Sequence, residues 1–567
     1  MNAQNGKDRP PSSVLIKKIL IFFVFSLFAA LLFTAEIPLS VPEYKEGDIA
    51  KKNIKAKQET YVPELSLTLK KDEMVIREGE RVSTEHLKKL NALRSKEKER
   101  PRTLLKPLFF LLFVFFFTTI IHEFAEKNIK KYQITEKDLI FALSLTLFVL
   151  STIKAVWALS DSISPRFKTD LLYFAPVFLY GMLLRIALFS EAAFVFSSIL
   201  TAITILMTYE FHFSVHVLVS SILASYFSRQ CESRNTILKA GLYSSIIANL
   251  FVLLFAGITG VGTENIIYRI GFVFLSGIVS SFLALGLLPI IENLFDYTTD
   301  IKLLELANLE HPLLEQMMVN APGTYHHSII VGNLCKAAAE SIGAHPLLAR
   351  VGAYYHDIGK LKMPHYYVEN RKGFEDAHKN LTPNMSALII LSHVKEGVEL
   401  AEKYKLGKKI RDIIHQHHGK SLCAFFYNRA KEREDPSIQI VEEKDFRYPG
   451  PKPQTKEAGI VMLADQVEAS SRVLEDPTPK RIESHVQKII EEIFLDGQLD
   501  ECELTLKDLH AIQKSFTNIL TAMFHHRIEY PDRKDYASGT ARQAEKTKNG
   551  QKANKKGNGR VISLFRT

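Results

Sequence analysis

Apolar residues run almost unbroken through much of the first half of the chain and fall into a helical rhythm through the second. The stretch "ILIFFVFSLFAALLFTA" (19–35) follows Lys17 and Lys18. After a polar segment, seven more apolar stretches come near 107–122, 139–159, 171–189, 192–208, 213–227, 240–262 and 270–291. A helix needs about 20 apolar residues to cross a bilayer, so the pattern predicts eight crossings, with soft boundaries where the runs are shorter. The first run is longer than the roughly 7–15-residue core of a signal peptide and has no clean cleavage pattern, so it predicts a retained helix.

An even number of crossings puts both termini on one side, and the charges say which. Lys17 and Lys18, then Lys127, Lys130, Lys131 and Lys137, then Arg229, Arg234 and Lys239 fall in alternate loops on the same face. Excess Lys and Arg marks the cytoplasmic face. Inside the predicted spans Lys154, Arg185 and His216 are polar exceptions. The first two lie near span ends, where a long side chain reaches the interface.

The segment 36–103 is then extracytoplasmic. It holds a strand-like "ETYVPELSLTL", a turn-bearing "KKDEMVIREGERVS" and a charged helical "TEHLKKLNALRSKEKER", and a segment so short is marginal as a domain. Beyond Ile291, Leu303, Leu304, Leu306 and Leu309 sit near helical spacing in a connector that ends at a Pro322-Gly323 break. Residues 310–530 keep a 3.6-residue period with little strand-like alternation, which predicts an all-α domain.

Composition changes this picture little. The four cysteines (Cys231, Cys335, Cys423, Cys502) form no C-x-x-C pair, which argues against a disulfide framework or a thiolate zinc site. The formal charge of +10 invites a nucleic-acid reading. However, Pro531–Thr567 holds ten Lys or Arg against three Asp or Glu in a Gly, Lys, Asn and Gln-rich stretch. Such a stretch reads as a disordered, solvated tail or one drawn to anionic lipid, so no specific nucleic acid is expected.

Candidate chemistry is confined to the second half. "VGAYYHDIGKLKMPHYY" (351–367) carries His356, Asp357 and Lys360 beside apolar Ala and Tyr. His327 ("GTYHHSIIVGNL"), His393 ("IILSHVKEG"), His417 and His418 ("IIHQHHGKS") and Asp465 ("IVMLADQVEASSR") each adjoin an apolar helical run. Imidazoles and carboxylates facing into a helical bundle are the raw material of a metal site. Seven are too many for one ion. They fit two ions bridged by Asp357, one held also by His327, His356 and Asp465 and the other by His393, His417 and His418, an arrangement suited to phosphoryl displacement. A His and carboxylate set without thiolate suits Fe or Mn. His311, His345, His365, His378 and His415 stay unassigned, His326 reads as a surface or supporting group, and the pair His525-His526 reads as structural.

"HHSIIVGNL", "GAYYHDIGKLKMPHYYVENR", "LSHVKEGVELA", "IIHQHHG" and "MLADQVEASSR" together resemble the 7TM receptors with an intracellular HD hydrolase, the PgpH-type cyclic di-AMP phosphodiesterases. The resemblance covers roughly residues 104–530. It implies a multi-pass α-helical membrane protein with a C-terminal cytoplasmic all-α HD-type phosphohydrolase domain. Its boundaries are a cytoplasmic N-terminus (1–18), a first transmembrane helix (19–35), a short extracytoplasmic segment (36–103), a seven-helix transmembrane block (104–291), a connector (292–322), the HD domain (323–530) and the basic tail (531–567). The family's metal ligands match His327, His356, Asp357, His393, His417, His418 and Asp465. The implied reaction is hydrolysis of cyclic di-AMP to linear pApA, with Asp357 catalytic as the bridge and Lys360 catalytic as the cation that binds the substrate phosphate. The implied cofactors are two divalent ions, Fe or Mn first. The partners expected are the cyclic dinucleotide substrate, the lipid bilayer and a second copy of the chain in a homodimer. The chain departs from the pattern in its outer segment, where only the beginning ("EYKEGDIAKKNIKAKQE") and end ("MVIREGERVS") of a larger domain match.

Three rival readings remain. A cyclic di-GMP phosphodiesterase of the HD-GYP type would carry G-Y-P after the paired histidines, where this chain reads "HQHHGKSLCAFFYN". Hydrolysis of another nucleotide is the work of HD enzymes that are usually soluble, single-domain and poorer in ligands, whereas a membrane receptor that binds nucleotide without turnover would be separated from the first reading by the effect of changing Asp357.

Overall fold

The computed structural model describes residues 12–34, 44–98, 105–163, 168–260, 265–371, 376–434 and 440–524, apart from positions 52, 57–58, 71–72, 230 and 232. The pair His525-His526 and the basic tail lie outside the described residues.

The membrane half is built of α1 (Ser12–Thr34) and, beyond the polar segment, α3 (Leu105–Asn128), α4 (Glu136–Ile163), the short α5 (Lys168–Leu171), α6 (Phe178–Ala187), α7 (Ser190–Thr208), α8 (Phe211–Phe227), α9 (Arg234–Thr259) and α10 (Ile266–Leu294). Seven spans among the described residues are long and apolar enough to cross a membrane, and α8, also apolar, is shorter. The fourth of these spans, Thr169–Ala187, is broken at Pro176, which cannot donate to a continuing helix. The molecule is an integral membrane protein. Of the polar exceptions, Lys154 donates to the Phe33 carbonyl at 3.2 Å, Arg185 lies in the last turn of α6, and His216 is buried beside Ser220. Asp170 and Arg269, just beyond the predicted apolar runs, form a buried ion pair at 2.6 Å that ties α5 to α10.

Between α1 and α3 lie β1 (Ile54–Lys55), β2 (Thr60–Val62), β3 (Leu67–Leu69), β4 (Met74–Ile76) and α2 (Thr84–Lys98). β2 and β3 form an antiparallel hairpin, and β1 pairs antiparallel with β4. The stretch expected to be one strand therefore folds back at Pro63–Leu65, with Ser66 in a left-handed conformation. Ile54, Val62, Leu69, Val75, Ile76, Leu90 and Leu93 give this segment a small core of its own.

The C-terminal half is all-helical, apart from short turns of 3-10 helix: α11 (Asp300–Leu306), α12 (Pro312–Asn320), α13 (Pro322–Ile342), α14 (Pro346–Tyr355), α15 (Pro383–Lys403), α16 (Lys408–Gln416), α17 (Ala424–Lys431), α18 (Lys456–Ser471), α19 (Pro479–Leu495) and α20 (Leu506–Phe524). Capping follows the sequence. Thr299, Thr382, Thr455 and Thr478 each accept a backbone N–H at the start of α11, α15, α18 and α19, and proline opens α12, α13, α14, α15 and α19. The core gathers Leu334, Ala338, Val351, Ile413, Ile460, Leu463, Val486 and Phe516 around α18, which is buried on nearly every side. Leu303, Leu306, Leu313, Leu314 and Met317 of α11 and α12 join the same core, whereas Leu304 and Leu309 are exposed.

Candidate metal centre

Five helices bring the seven predicted ligands together. His327 lies in the second turn of α13, His356 closes α14, His393 projects from α15, His417 and His418 follow α16, and Asp465 lies in α18. Asp357 sits between α14 and a 3-10 turn (Ile358–Lys362) that lies against α15, and a Cβ at Gly359 would overlap the His393 carbonyl. Glycine is required there for the backbone to come so near.

Two groups form, sharing one residue. Asp357, His393, His417 and His418 make one and His327, His356, Asp357 and Asp465 the other, with the candidate ligand atoms of each within 4.8 Å of one another. The two oxygens of Asp357 face different ways. Oδ2 lies 3.2 Å from His356 Nε2 and 3.8 Å from His327 Nε2, while Oδ1 lies 3.4 Å from His393 Nε2 and 3.8 Å from His417 Nε2. Asp465 Oδ1 is 2.9 Å from His327 Nε2, and its Oδ2 is 3.8 Å from His418 Nδ1.

The donor atoms fit a cation. Ligands that each sit about 2.1 Å from one ion stand roughly 3–3.5 Å apart, the range of the closest spacings here. His356 Nε2, His418 Nδ1 and Asp357 Oδ1 are buried without a hydrogen-bond partner, a costly state for charged or strongly polar atoms unless something else pairs with them. The other ring nitrogens are held. His356, His393 and His417 each direct Nδ1 to the carbonyl three residues back, at 2.7, 2.5 and 2.7 Å, which leaves Nε2 aimed inward. His327 instead donates Nδ1–H to Glu468 at 2.5 Å, and Arg472 holds Glu468 at 2.7 Å. Such outer carboxylates fix the ring and make it a stronger ligand.

Electrostatics point the same way. Burial pushes His417 well below the ordinary imidazole range and His418 down to about 3, so both are neutral donors. Burial also opposes charge on His356, yet Asp357 and Asp465 together raise it to about 10. Burial would raise Asp357, but His356 and Lys360 hold it well below the usual carboxylate range. Asp357 and Asp465 therefore stay ionised beside neutral imidazoles of His417 and His418.

Lys360 lies beside Asp357, with Nζ 2.7 Å from Oδ2, 2.9 Å from Glu369 Oε1 and 5.1 Å from the Tyr367 ring centroid. Burial opposes its charge, but the two carboxylates keep it an ammonium. Of the tyrosines flanking His356 and Lys360, Tyr354 and Tyr355 are core residues, and Tyr367 packs edge-on against His393. His326 is exposed, and His311 and His345 cap α12 and α14. Sequence reasoning missed Glu468, Arg472, Glu369 and Tyr448, whose ring stacks on His418 at 4.3 Å. The one available signal was the spacing of Glu468, one helical turn after Asp465, which puts both on one face of α18.

An integral membrane protein with a C-terminal helical domain built around a His/Asp cluster is the class these features define. Residues 105–299 match the 7TM receptor with intracellular HD hydrolase family, and residues 324–470 match the HD domain. The chain is 33% identical to the cyclic-di-AMP phosphodiesterase PgpH of Listeria monocytogenes serotype 1/2a (strain 10403S), over 89% of this chain and 69% of that protein. It is 39% identical to the cyclic-di-AMP phosphodiesterase PgpH of Bacillus subtilis (strain 168), over 76% of this chain and 61% of that protein. The chain thus spans about three fifths of the B. subtilis relative. Two crystal structures of the L. monocytogenes phosphodiesterase PgpH HD domain, one in complex with cyclic-di-AMP, are each 45% identical to this chain. They cover 38% and 39% of it and 100% of their own length, with a TM-score of 0.36. The chain belongs to the family of 7TM receptors with an intracellular HD hydrolase.

Proposed function

We propose that the chain is a membrane-anchored, metal-dependent phosphodiesterase that hydrolyses cyclic di-AMP to linear pApA and so lowers the level of a second messenger. It would sit in the cell membrane with the HD domain and both termini cytoplasmic, act as a homodimer, and use two divalent ions, Fe or Mn. The observation that carries the reading is the division of Asp357, whose two oxygens serve different histidine pairs. Curated relatives named for this activity, the alternation of basic loops and the absence of G-Y-P after His418 add support.

His327, His356, Asp357 and Asp465 would hold one ion, and Asp357, His393, His417 and His418 the other. Bound there, the ions supply Lewis acidity to water and to the phosphoryl oxygens and offset charge during the displacement. The chain's own residues do the rest. The carbonyl and Glu468 acceptors fix the ring tautomers. The Lys360 ammonium stands next to the bridge, where it would hold a substrate phosphate and balance charge growing on phosphorus. Formation of pApA adds one water: a P–O bond to the water oxygen forms, one P–O3′ bond breaks, and a proton from the water ends on the departing 3′ oxygen.

The test uses the full chain in nanodiscs with Mn²⁺, given cyclic di-AMP and cyclic di-GMP separately, with Asp357→Asn as control. Cleavage of cyclic di-AMP to pApA by the wild type alone is expected. Preferential cleavage of cyclic di-GMP, or equal turnover by the variant, would overturn the proposal.

A further inference from the structure

The turn between α10 and α11, residues 295–299, is held from two sides. On the membrane side the Tyr297 hydroxyl donates to Asp138 Oδ1 at 2.7 Å, and Lys137 Nζ reaches the Asp296 carbonyl at 3.4 Å and lies 4.8 Å from the Tyr297 ring centroid. Lys137 and Asp138 belong to the first turn of the membrane helix α4. On the other side Arg411 Nη2 donates to Asp296 Oδ2 at 3.1 Å, and the Lys409 amide donates to Thr298 Oγ1 at 3.3 Å. Asp300, one residue on, pairs with His345 Nε2 at 2.9 Å.

The two helices gripped in this way are the ones that lead to the metal groups. α16 begins at Lys408 beside the turn, and His417 and His418 follow its last residue. From Arg411 to His417 is six residues, about 9 Å at 1.5 Å per residue. His345 caps α14, which runs directly into His356 and Asp357. The turn and the first residue of α11 therefore touch the starts of two helices whose far ends lie in different ligand groups.

The packing leaves these helices little slack. A Cβ on Gly407, which has φ +91°, would meet the Thr298 hydroxyl, Ile413 of α16 lies against Gly352 of α14, and Ile414 lies against Gly397 of α15. Close-packed interfaces of this kind shift between discrete arrangements instead of deforming smoothly. The ion pairs at the turn are partly exposed, so each is individually weak and able to re-form. Asp296 is itself left-handed, with φ 46°, a conformation uncommon outside glycine that concentrates at switch points.

We propose that Asp296, Thr298 and Asp300 are positioning residues for the metal centre. Through α16 and α14 they set the separation of the two ligand groups across Asp357 according to how α4 packs against the end of α10. Movement in the membrane block is then read as metal affinity and turnover in the HD domain. The inference rests on the two-ion reading above.

The experiment titrates Mn²⁺ into the full chain in nanodiscs and follows it by electron paramagnetic resonance, which distinguishes a coupled pair from single ions. The variants are Tyr297→Phe, which touches only the membrane side, Asp296→Asn, Thr298→Val, and the exchange Asp296→Arg with Arg411→Asp. Affinity for the second Mn²⁺ should fall by about 10-fold in the single variants, the lower end of what outer partners of a metal site cost. The pair signal and kcat should fall with it at little change in KM, and the charge exchange should restore them. Asp412→Asn, which breaks an exposed pair with Lys408 on α16, should change nothing. Unaltered Mn²⁺ affinity and pair signal in both Tyr297→Phe and Asp296→Asn would overturn the inference. If the wild type binds fewer than two Mn²⁺, the two-ion reading fails, and the coupling is then decided by amide hydrogen exchange on the metal-free chain. Faster exchange at 413–418 and 352–357 in Tyr297→Phe would sustain it, whereas a change confined to the turn would sink it.

Discussion

The membrane bundle and the HD domain both bury polar groups, but of different kinds. In the bundle they are mostly hydroxyls. Thr118, Thr146, Thr204 and Thr208 bond to the carbonyl four residues back, while Ser197, Ser221, Ser244 and Ser280 have no partner at all. The buried charges of Arg269 and Asp170 meet each other. Among the described residues of the HD domain, Ser328, His378 and Thr517 each leave one such atom scattered, but His356 Nε2, His418 Nδ1 and Asp357 Oδ1 lie together in one cluster. An unpaired hydroxyl costs about 1–3 kcal/mol, whereas an uncompensated carboxylate costs far more. A buried orphan atom therefore does not by itself identify a site. Orphans that carry or accept charge, converging on one point, do.

Changing the shared carboxylate should separate the two regions most sharply. Asp357→Asn keeps the shape but removes the charge that faces both ligand groups, and turnover should fall on the order of 10³-fold or more, the scale of losing a group that stabilises the transition state directly. Bound Mn²⁺ should drop below two per chain, with thermal unfolding of the bundle unmoved. In the bundle, Arg269→Gln leaves Asp170 buried and uncompensated, which costs about 3–5 kcal/mol. Thermal unfolding in nanodiscs should show it, and adding Asp170→Asn should recover much of it. A loss of turnover per folded molecule in Arg269→Gln, without a loss of stability, would break the comparison by making the ion pair functional.

Glu468→Gln comes next, with an expected loss of about 10–100-fold in Mn²⁺ affinity, because the carboxylate that fixes His327 is gone. Isothermal titration on the full chain measures it, and an unchanged affinity would reduce Glu468 to a packing residue. This residue also marks where the sequence stopped being legible. The seven clustered residues could be read because packing alone seldom places imidazoles and a His-Asp pair beside apolar runs, and the spans because lipid demands long apolar runs. Glu468 and Arg472 form an ordinary i,i+4 pair that reads as a solvated helix face, and only the packing of α18 at the centre of the domain buries the glutamate. The fold-back at Pro63–Leu65 did leave a mark in the sequence, because Pro63 and Glu64 interrupt the strand-like run. The turn at 295–299 carries no signal in its own residues, because its partners come from α4, α14 and α16.

Lys360 gives the smallest effect and the finest discrimination. The sequence suggests that it holds phosphate, whereas the structure adds an ion pair with Asp357 and another with Glu369. Those two roles predict opposite signs for one substitution. Removing an ammonium 2.7 Å from the Asp357 carboxylate leaves the centre more negative, so Lys360→Ala should hold Mn²⁺ at least as tightly as the wild type. If the ammonium also grips the phosphate in the transition state, its removal should lower kcat by about 10-fold or more. Tighter metal with slower turnover would assign Lys360 to the substrate. Weaker metal with proportionally slower turnover would make it a brace for Asp357, and the cluster would then have to grip its substrate through another group.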